Sequence, residues 1–210
     1  MKNLRLAALA AGLLLATRAE AQLPSPYTGA AILPVDGHVF GGYVPISQNV
    51  VGLLGQLRLS FYPGVDFGFQ GGLSRMDRDQ GNRTLVQVGT DVKVALLRAG
   101  DQQPFDIAAG GGLGIHVGDN YSALTLGPTI VASRSWHRGA TGEISPYVGL
   151  GFAFSSVNSD QTRTDFSTPL RVGSEFGLSP VARIVTEFEF RLGDDFNDDV
   201  GFSAGVNLPF

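Results

Sequence analysis

The sequence predicts an all-β fold, a closed antiparallel up-and-down β-barrel that crosses a membrane, with ten strands as the first count and eight as the alternative. Three observations predict it. The chain opens on a segment built like an export signal, segment after segment then alternates apolar and polar residues, and the polar faces are rich in Gly, Ala and Ser as well as charge. A soluble β-sandwich also alternates, but with its apolar face toward a core and its charges toward water. Small residues on the polar face suit a crowded lumen and are not needed on a solvated surface. Strands of about ten residues with one greasy and one polar face are what a membrane barrel requires.

At the N-terminus, Lys2 and Arg5 precede an apolar run over 6–16, and Ala19-Glu20-Ala21 places small residues where a signal peptidase reads. The run is too short for a membrane-spanning helix, which needs roughly 20 residues. Residues 1–21 are therefore expected to be a removed signal peptide, 22–36 a periplasmic leader at the barrel mouth, and 37–210 the barrel. Three prolines and no clear period mark the leader. The chain has no cysteine, so disulfides and thiolate chemistry are excluded. A formal net charge of -4 argues against nucleic acid as a partner.

The first strand, 37–44, has an open register: either Val39, Gly41 and Tyr43 or Phe40 and Val44 face out. From residue 53 the parity is plain. Strand two sorts Leu53, Leu57, Leu59 and Phe61 against Gln56, Arg58 and Ser60, and Tyr62-Pro63-Gly64 is a tight turn. Strand three turns Phe67, Phe69 and Leu73 out with Asp66, Gly68 and Gln70 in, and a polar loop over 75–83 follows. Strand four has Val86, Val88, Val92 and Val94 against Gln87, Asp91 and Lys93. Strand five, entered at Phe105, sets Ile107, Leu113, Ile115 and Val117 against Asp106, Gly110, Gly112 and His116.

Strand six opposes Leu124, Leu126 and Ile130 to Thr125, Gly127 and Thr129 and finishes at Trp136, whose amphipathic ring suits a membrane boundary. Strand seven turns Val148, Leu150, Phe152 and Phe154 out, and 156–168 is expected to be a polar loop. Strand eight has Leu170, Val172, Phe176 and Leu178 against Arg171, Gly173, Glu175 and Gly177. After a turn over 179–181, strand nine sets Ile184, Phe188, Phe190 and Leu192 against Arg183, Glu187, Glu189 and Arg191. Placing Leu178 opposite Ala182 in that turn puts Arg171 across from Glu189 and Gly173 across from Glu187.

Strand ten, 200–210, carries Val200, Phe202, Ala204, Val206, Leu208 and Phe210 on one face and ends on the aromatic. Ser203, Gly205, Leu208 and Phe210 resemble the C-terminal targeting signal of bacterial outer-membrane β-barrels, a polar-x-Gly-x-x-hydrophobic-x-aromatic pattern. With the alternation, the whole mature chain resembles the small outer-membrane barrel domains of the OmpA and OmpX type. That resemblance implies a bacterial outer-membrane location after export. It also implies contact with outer-membrane lipid and lipopolysaccharide, and recognition of the C-terminal strand by the barrel-assembly machinery. The expected state is a monomer. Connections after strands two and eight are tight, whereas those after three, seven and nine are longer, so both termini are expected on the periplasmic side.

Chemistry-bearing motifs are few. His38, His116 and His137 have no metal-pair spacing, and His116, near Asp119, reads as a lumen or rim side chain. The run Gly110-Gly111-Gly112-Leu113-Gly114 lacks the spacing of a phosphate loop and reads as strand. Asp194, Asp195, Asp198 and Asp199 read as a solvated acidic loop. No catalytic, cofactor or metal residues are assigned. The informative set is the inward charge of both signs: Arg58, Asp66, Asp91, Lys93, Asp106, Arg171, Glu175, Arg183, Glu187, Glu189 and Arg191. Buried in a narrow lumen these must pair, which favours a cross-linked interior and a structural, anchoring or surface-interaction role. The rival is a narrow diffusion channel, and a barrel enzyme acting on lipid stands third.

Overall fold

The computed structural model describes residues 25–76, 82–100, 103–138, 142–159, 162–192 and 200–210. The expected signal segment and the acidic loop at 194–199 lie outside the described residues. Twelve strand segments form one antiparallel sheet: β1 (His38–Ile46), β2 (Val50–Tyr62), β3 (Val65–Met76), β4 (Arg83–Leu97), β5 (Asp106–Gly118), β6 (Tyr121–Ser133), β7 (Trp136–Arg138), β8 (Gly142–Gly151), β9 (Ala153–Asn158), β10 (Thr162–Ser179), β11 (Ala182–Leu192) and β12 (Val200–Pro209). The last strand returns to the first, with Val39 opposite Pro209 and Tyr43 opposite Gly205, so the sheet closes on itself. Phe210 donates its N–H to the carbonyl of His38 at 3.1 Å and finishes that seam.

The segments make ten staves, because two of them are interrupted by proline. The register between neighbours runs without a shift from Leu126 and Phe154, through Thr129 and Gly151, to Trp136 and Ile144. β6 and β7 are thus one line, and so are β8 and β9. Phe152 donates to the Pro128 carbonyl at 3.0 Å, and Arg134 donates to the Pro146 carbonyl at 3.3 Å. Each proline keeps its acceptor and lacks the N–H that would complete the ladder, so pairing lapses there.

The ten expected strands are all present, and the parity is as expected. In the first strand Val39 and Tyr43 are buried while Phe40 and Val44 are exposed, which settles its register. Leu53, Phe69, Leu73, Val88, Phe154, Val172 and Phe188 form part of an exposed apolar belt, whereas Arg58, Asp66, Lys93 and Glu187 are each under 4% exposed. This inverts the soluble arrangement and matches a wall facing hydrocarbon. Trp136 stands half exposed on β7, with the Arg134 guanidinium 5.7 Å above its ring.

Three expectations change. Residues 156–158 and 162–168 are strand rather than loop: Asn158 to Ala153 pair with Thr162 to Ser167, so β9 and β10 continue as a polar ladder. Its faces lack greasy alternation because Asn158, Thr162, Arg163, Thr164 and Asp165 are polar whichever way they point. The β10–β11 turn is Pro180-Val181, with Ser179 opposite Ala182 and a bulge at Leu178. That bulge absorbs the odd residue, so Arg171 still faces Glu189 and Gly173 still faces Glu187. Finally, connection lengths do not sort by rim. A long connection joins β4 to β5 at the rim where β1 begins, while the opposite rim carries the short turn Asp119-Asn120. In that turn Asn120 takes φ 51, and in the Pro63-Gly64 turn Gly64 takes φ 79, both left-handed.

Candidate functional site

The leader does not stop at the mouth. Asp36 and Gly37 hold the rim, where Asp36 donates its N–H to the Ser60 carbonyl and Ser60 donates to that of Gly37. Upstream of them the chain runs inside the barrel, with Ser25, Tyr27 and Ala30 all buried. Residues 25–31 thus lie deeper than the mouth expected for the leader, and the reason is chemical: the lumen holds more hydrogen-bonding groups than its own ion pairs consume.

Seven strands bind this plug. The Ser25 carbonyl accepts from Gln56 of β2 at 3.2 Å and from Gln70 of β3, while its hydroxyl donates to Glu187 of β11 at 2.8 Å. Asn207 of β12 donates to the Tyr27 carbonyl at 3.2 Å. Lys93 of β4 donates to the Gly29 carbonyl at 2.7 Å, the Thr28 hydroxyl at 2.9 Å and the Ala31 carbonyl at 3.1 Å. Gly29 N–H meets Glu175 of β10 at 2.9 Å, and Ala30 N–H meets the Ser133 hydroxyl of β6 at 2.8 Å. Most of these contacts are to backbone, whose donors and acceptors cannot be left dry without cost.

Apolar packing completes the seat. Tyr27, with φ 47, stacks on Tyr43 at a centroid separation of 4.1 Å and joins Leu54 and Val185. Ala30 packs with Ala108, Val131 and Tyr147. Toward the opposite rim Met76, Leu85, Tyr121, Ala123 and Val157 form a third inward cluster. The spaces between it and the plug, lined by Tyr27, Gln87 and His116, are about 30 Å³ each. That is water-sized room.

The expected lumen charges divide into two groups on opposite walls. On one, Arg58 donates to Asp91 at 2.8 and 3.1 Å and to Asp66, with the Lys93 ammonium 3.7 Å from Asp66. Gly68 makes this possible, since a Cβ there would lie 2.1 Å from an Asp91 oxygen and 2.7 Å from Arg58 Nη1. On the other wall, Arg171 donates to Glu189 at 2.9 Å and lies 4.0 Å from Glu187, and Arg191 donates to Glu189 at 3.3 Å. Arg183, more exposed, bridges Glu143 at 3.3 Å and Glu175 at 3.9 Å. Asp106 stands apart from both groups at the rim, where it accepts the Ala99 N–H at 2.9 Å. Sequence reasoning overlooked Glu143, Gln56, Gln70, Ser133 and Asn207. The inward amides Gln56, Gln70 and Asn207 were the available signal, because an amide can serve a backbone carbonyl that a carboxylate cannot.

His116 is buried and faces inward, as expected, with Gln87 and Ala123 as its cross-strand neighbours. His38 stacks on Phe210 at 5.4 Å. Of the terminal-strand set, Ser203 lies opposite Pro45, Gly205 opposite Tyr43 and Leu208 opposite Phe40, so these residues belong to the closing seam.

No family model matches the chain, and no curated protein matches it by sequence. Among solved structures, the β domain of the Bordetella autotransporter BrkA is similar with a TM-score of 0.55 at 13% identity, covering 84% of this chain and 100% of that one. A bacterial polysaccharide outer-membrane secretin has a TM-score of 0.49 at 12% identity, covering 85% of this chain and 66% of that one. An outer-membrane channel from Pseudomonas putida F1 has a TM-score of 0.46 at 11% identity, covering 91% of this chain and 100% of that one. The fold and lumen define a closed, ten-stave antiparallel β-barrel carrying a peptide in its interior. The likeness to the BrkA β domain shows the barrel fold and does not single out the OmpA and OmpX type.

Proposed function

We propose that this protein is a closed, non-conducting barrel of the bacterial outer membrane that anchors and presents its rims rather than passing solutes or catalysing a reaction. The observation that carries the reading is the plug: residues 25–31 occupy the lumen and exchange hydrogen bonds with seven strands, accepting from four and donating to three. The exposed apolar belt supports membrane residence, and the fold likeness to the BrkA β domain supports the outer membrane. On this reading the protein reaches that membrane through a removed signal at 1–21 and insertion of its C-terminal strand by the assembly machinery. Both ends then face the periplasm, and lipid and lipopolysaccharide surround a monomer. Planar-bilayer recording of the purified protein tests it: the expected trace is flat, and steady ohmic current would establish the diffusion-channel reading instead.

A further inference from the structure

The lumen recognises residues 25–31 as a ligand is recognised, by groups arrayed along the backbone and by side-chain pockets of defined size. Lys93, Gln56, Gln70 and Asn207 donate to its carbonyls, and Glu175 and Ser133 accept its N–H groups. Those contacts read any peptide backbone. Selectivity comes from three places. At Gly29 a Cβ would lie 2.8 Å from the Ser133 hydroxyl and 2.9 Å from its Cβ, so only glycine fits against β6. Ala30 is 2% exposed against Ala108, Val131 and Tyr147, which leaves room for a methyl group and little more. Tyr27 fills a stacked position on Tyr43 that an aliphatic side chain would leave partly empty.

We infer that the barrel interior is a peptide-binding site, occupied in cis by the chain's own residues 25–31, whose ligand is a peptide of the pattern Ser-x-Tyr-x-Gly-Ala bent at its tyrosine. The covalent link is then a tether rather than part of the seat. The tether leaves the lumen at Pro34 to Gly37, where Gly37 donates to the Pro34 carbonyl at 2.9 Å and Val35 is 45% exposed. A peptide of the same pattern supplied in trans competes for the same groups. The inference goes beyond the closed-barrel reading and stands independently of it.

The test uses the full chain with a protease recognition sequence inserted between Val35 and Asp36, cut only after the barrel has folded in detergent. The severed N-terminal piece is expected to stay bound through gel filtration and to exchange with a fluorescent synthetic peptide spanning residues 25–34. A Gly29→Val version of that peptide should bind roughly tenfold to a hundredfold more weakly, the cost of overpacking a filled site. Immediate loss of the severed piece with no capture of the labelled peptide overturns the inference, as does equal binding of the two peptides. Current through the uncut barrel would defeat the closed-barrel reading alone, and failed peptide capture by a barrel that is silent when uncut would defeat this inference alone.

Discussion

Arg171 and Glu189 face each other across β10 and β11, with Nε 2.9 Å from the carboxylate and both side chains turned into the lumen. The same guanidinium lies 4.0 Å from Glu187, and the same carboxylate takes a second bond from Arg191. Removing one partner from a buried pair costs about 3 to 5 kcal/mol, and an exposed cross-strand pair is worth about 0.2 to 1 kcal/mol. Because each member keeps a second partner, Arg171→Ala and Glu189→Ala should each fall between those limits in urea unfolding from detergent. The double variant should lose less than the two losses combined. Strict additivity would mean that the pair is not coupled.

Lys93 holds the plug at three points, so Lys93→Met should loosen residues 28–31 while leaving the wall closed. Since the chain has no cysteine, the near-isosteric Ser25→Cys gives a single reporter thiol in a buried position of the plug. Maleimide labelling should be slow in that variant and at least about tenfold faster when Lys93→Met is added, the equivalent of one lost buried hydrogen bond. Equal labelling rates would show that Lys93 does not secure the plug.

Gly68 and Gly71 lie on the same strand and differ only in which way they point. A Cβ on Gly68 would run into Asp91 and Arg58, whereas one on Gly71 has nothing nearer than the Gln87 carbonyl at 3.9 Å. Gly68→Ala should therefore destabilise the barrel by about 1 to 3 kcal/mol. Gly71→Ala should be neutral or stabilise by up to about 1 kcal/mol, through a less flexible unfolded chain. Chemical denaturation of the two variants side by side reads the difference, and a reversed order would contradict the inside-outside assignment of β3.

Phe210 is 74% exposed and supplies the last hydrogen bond of the closing seam. Deleting it should leave export unaffected, because Ala19-Glu20-Ala21 is untouched, and should cut membrane insertion severalfold. Fractionation with heat-modifiability on gels separates the two steps. Normal yield of inserted, heat-modifiable barrel would remove the terminal aromatic from the assembly signal.

The wall was legible because period-2 alternation states the facing of each residue directly, and one bulge at Leu178 cost a single turn rather than a register. The pairing of Arg171 with Glu189 was legible for the same reason. Residues 25–36 were not, because a peptide held by other strands' side chains has no period of its own and its prolines, Pro26 and Pro34, read as linker. The ladder of β9 and β10 was missed because its polarity on both faces imitates a loop. Strand breaks at Phe152 and Arg134 lie opposite Pro128 and Pro146, and recognising them needs the register between neighbours, which no single segment carries.

The seam between β1 and β12 joins the two ends of the barrel sequence, Val39 to Pro209. Every other neighbouring pair is local along the chain, so the nascent sheet can lengthen strand by strand but stays an open ribbon until its final residues arrive. Ser25 and Tyr27 draw on β2, β3, β11 and β12, and the β2–β3 and β11–β12 pairs come together on either side of β1 only when the ribbon curls shut. Their seat is therefore complete only once β12 has reached β1. The segment that fills it is bound in full no earlier than closure. The clock for burying the beginning of the chain is set by its end.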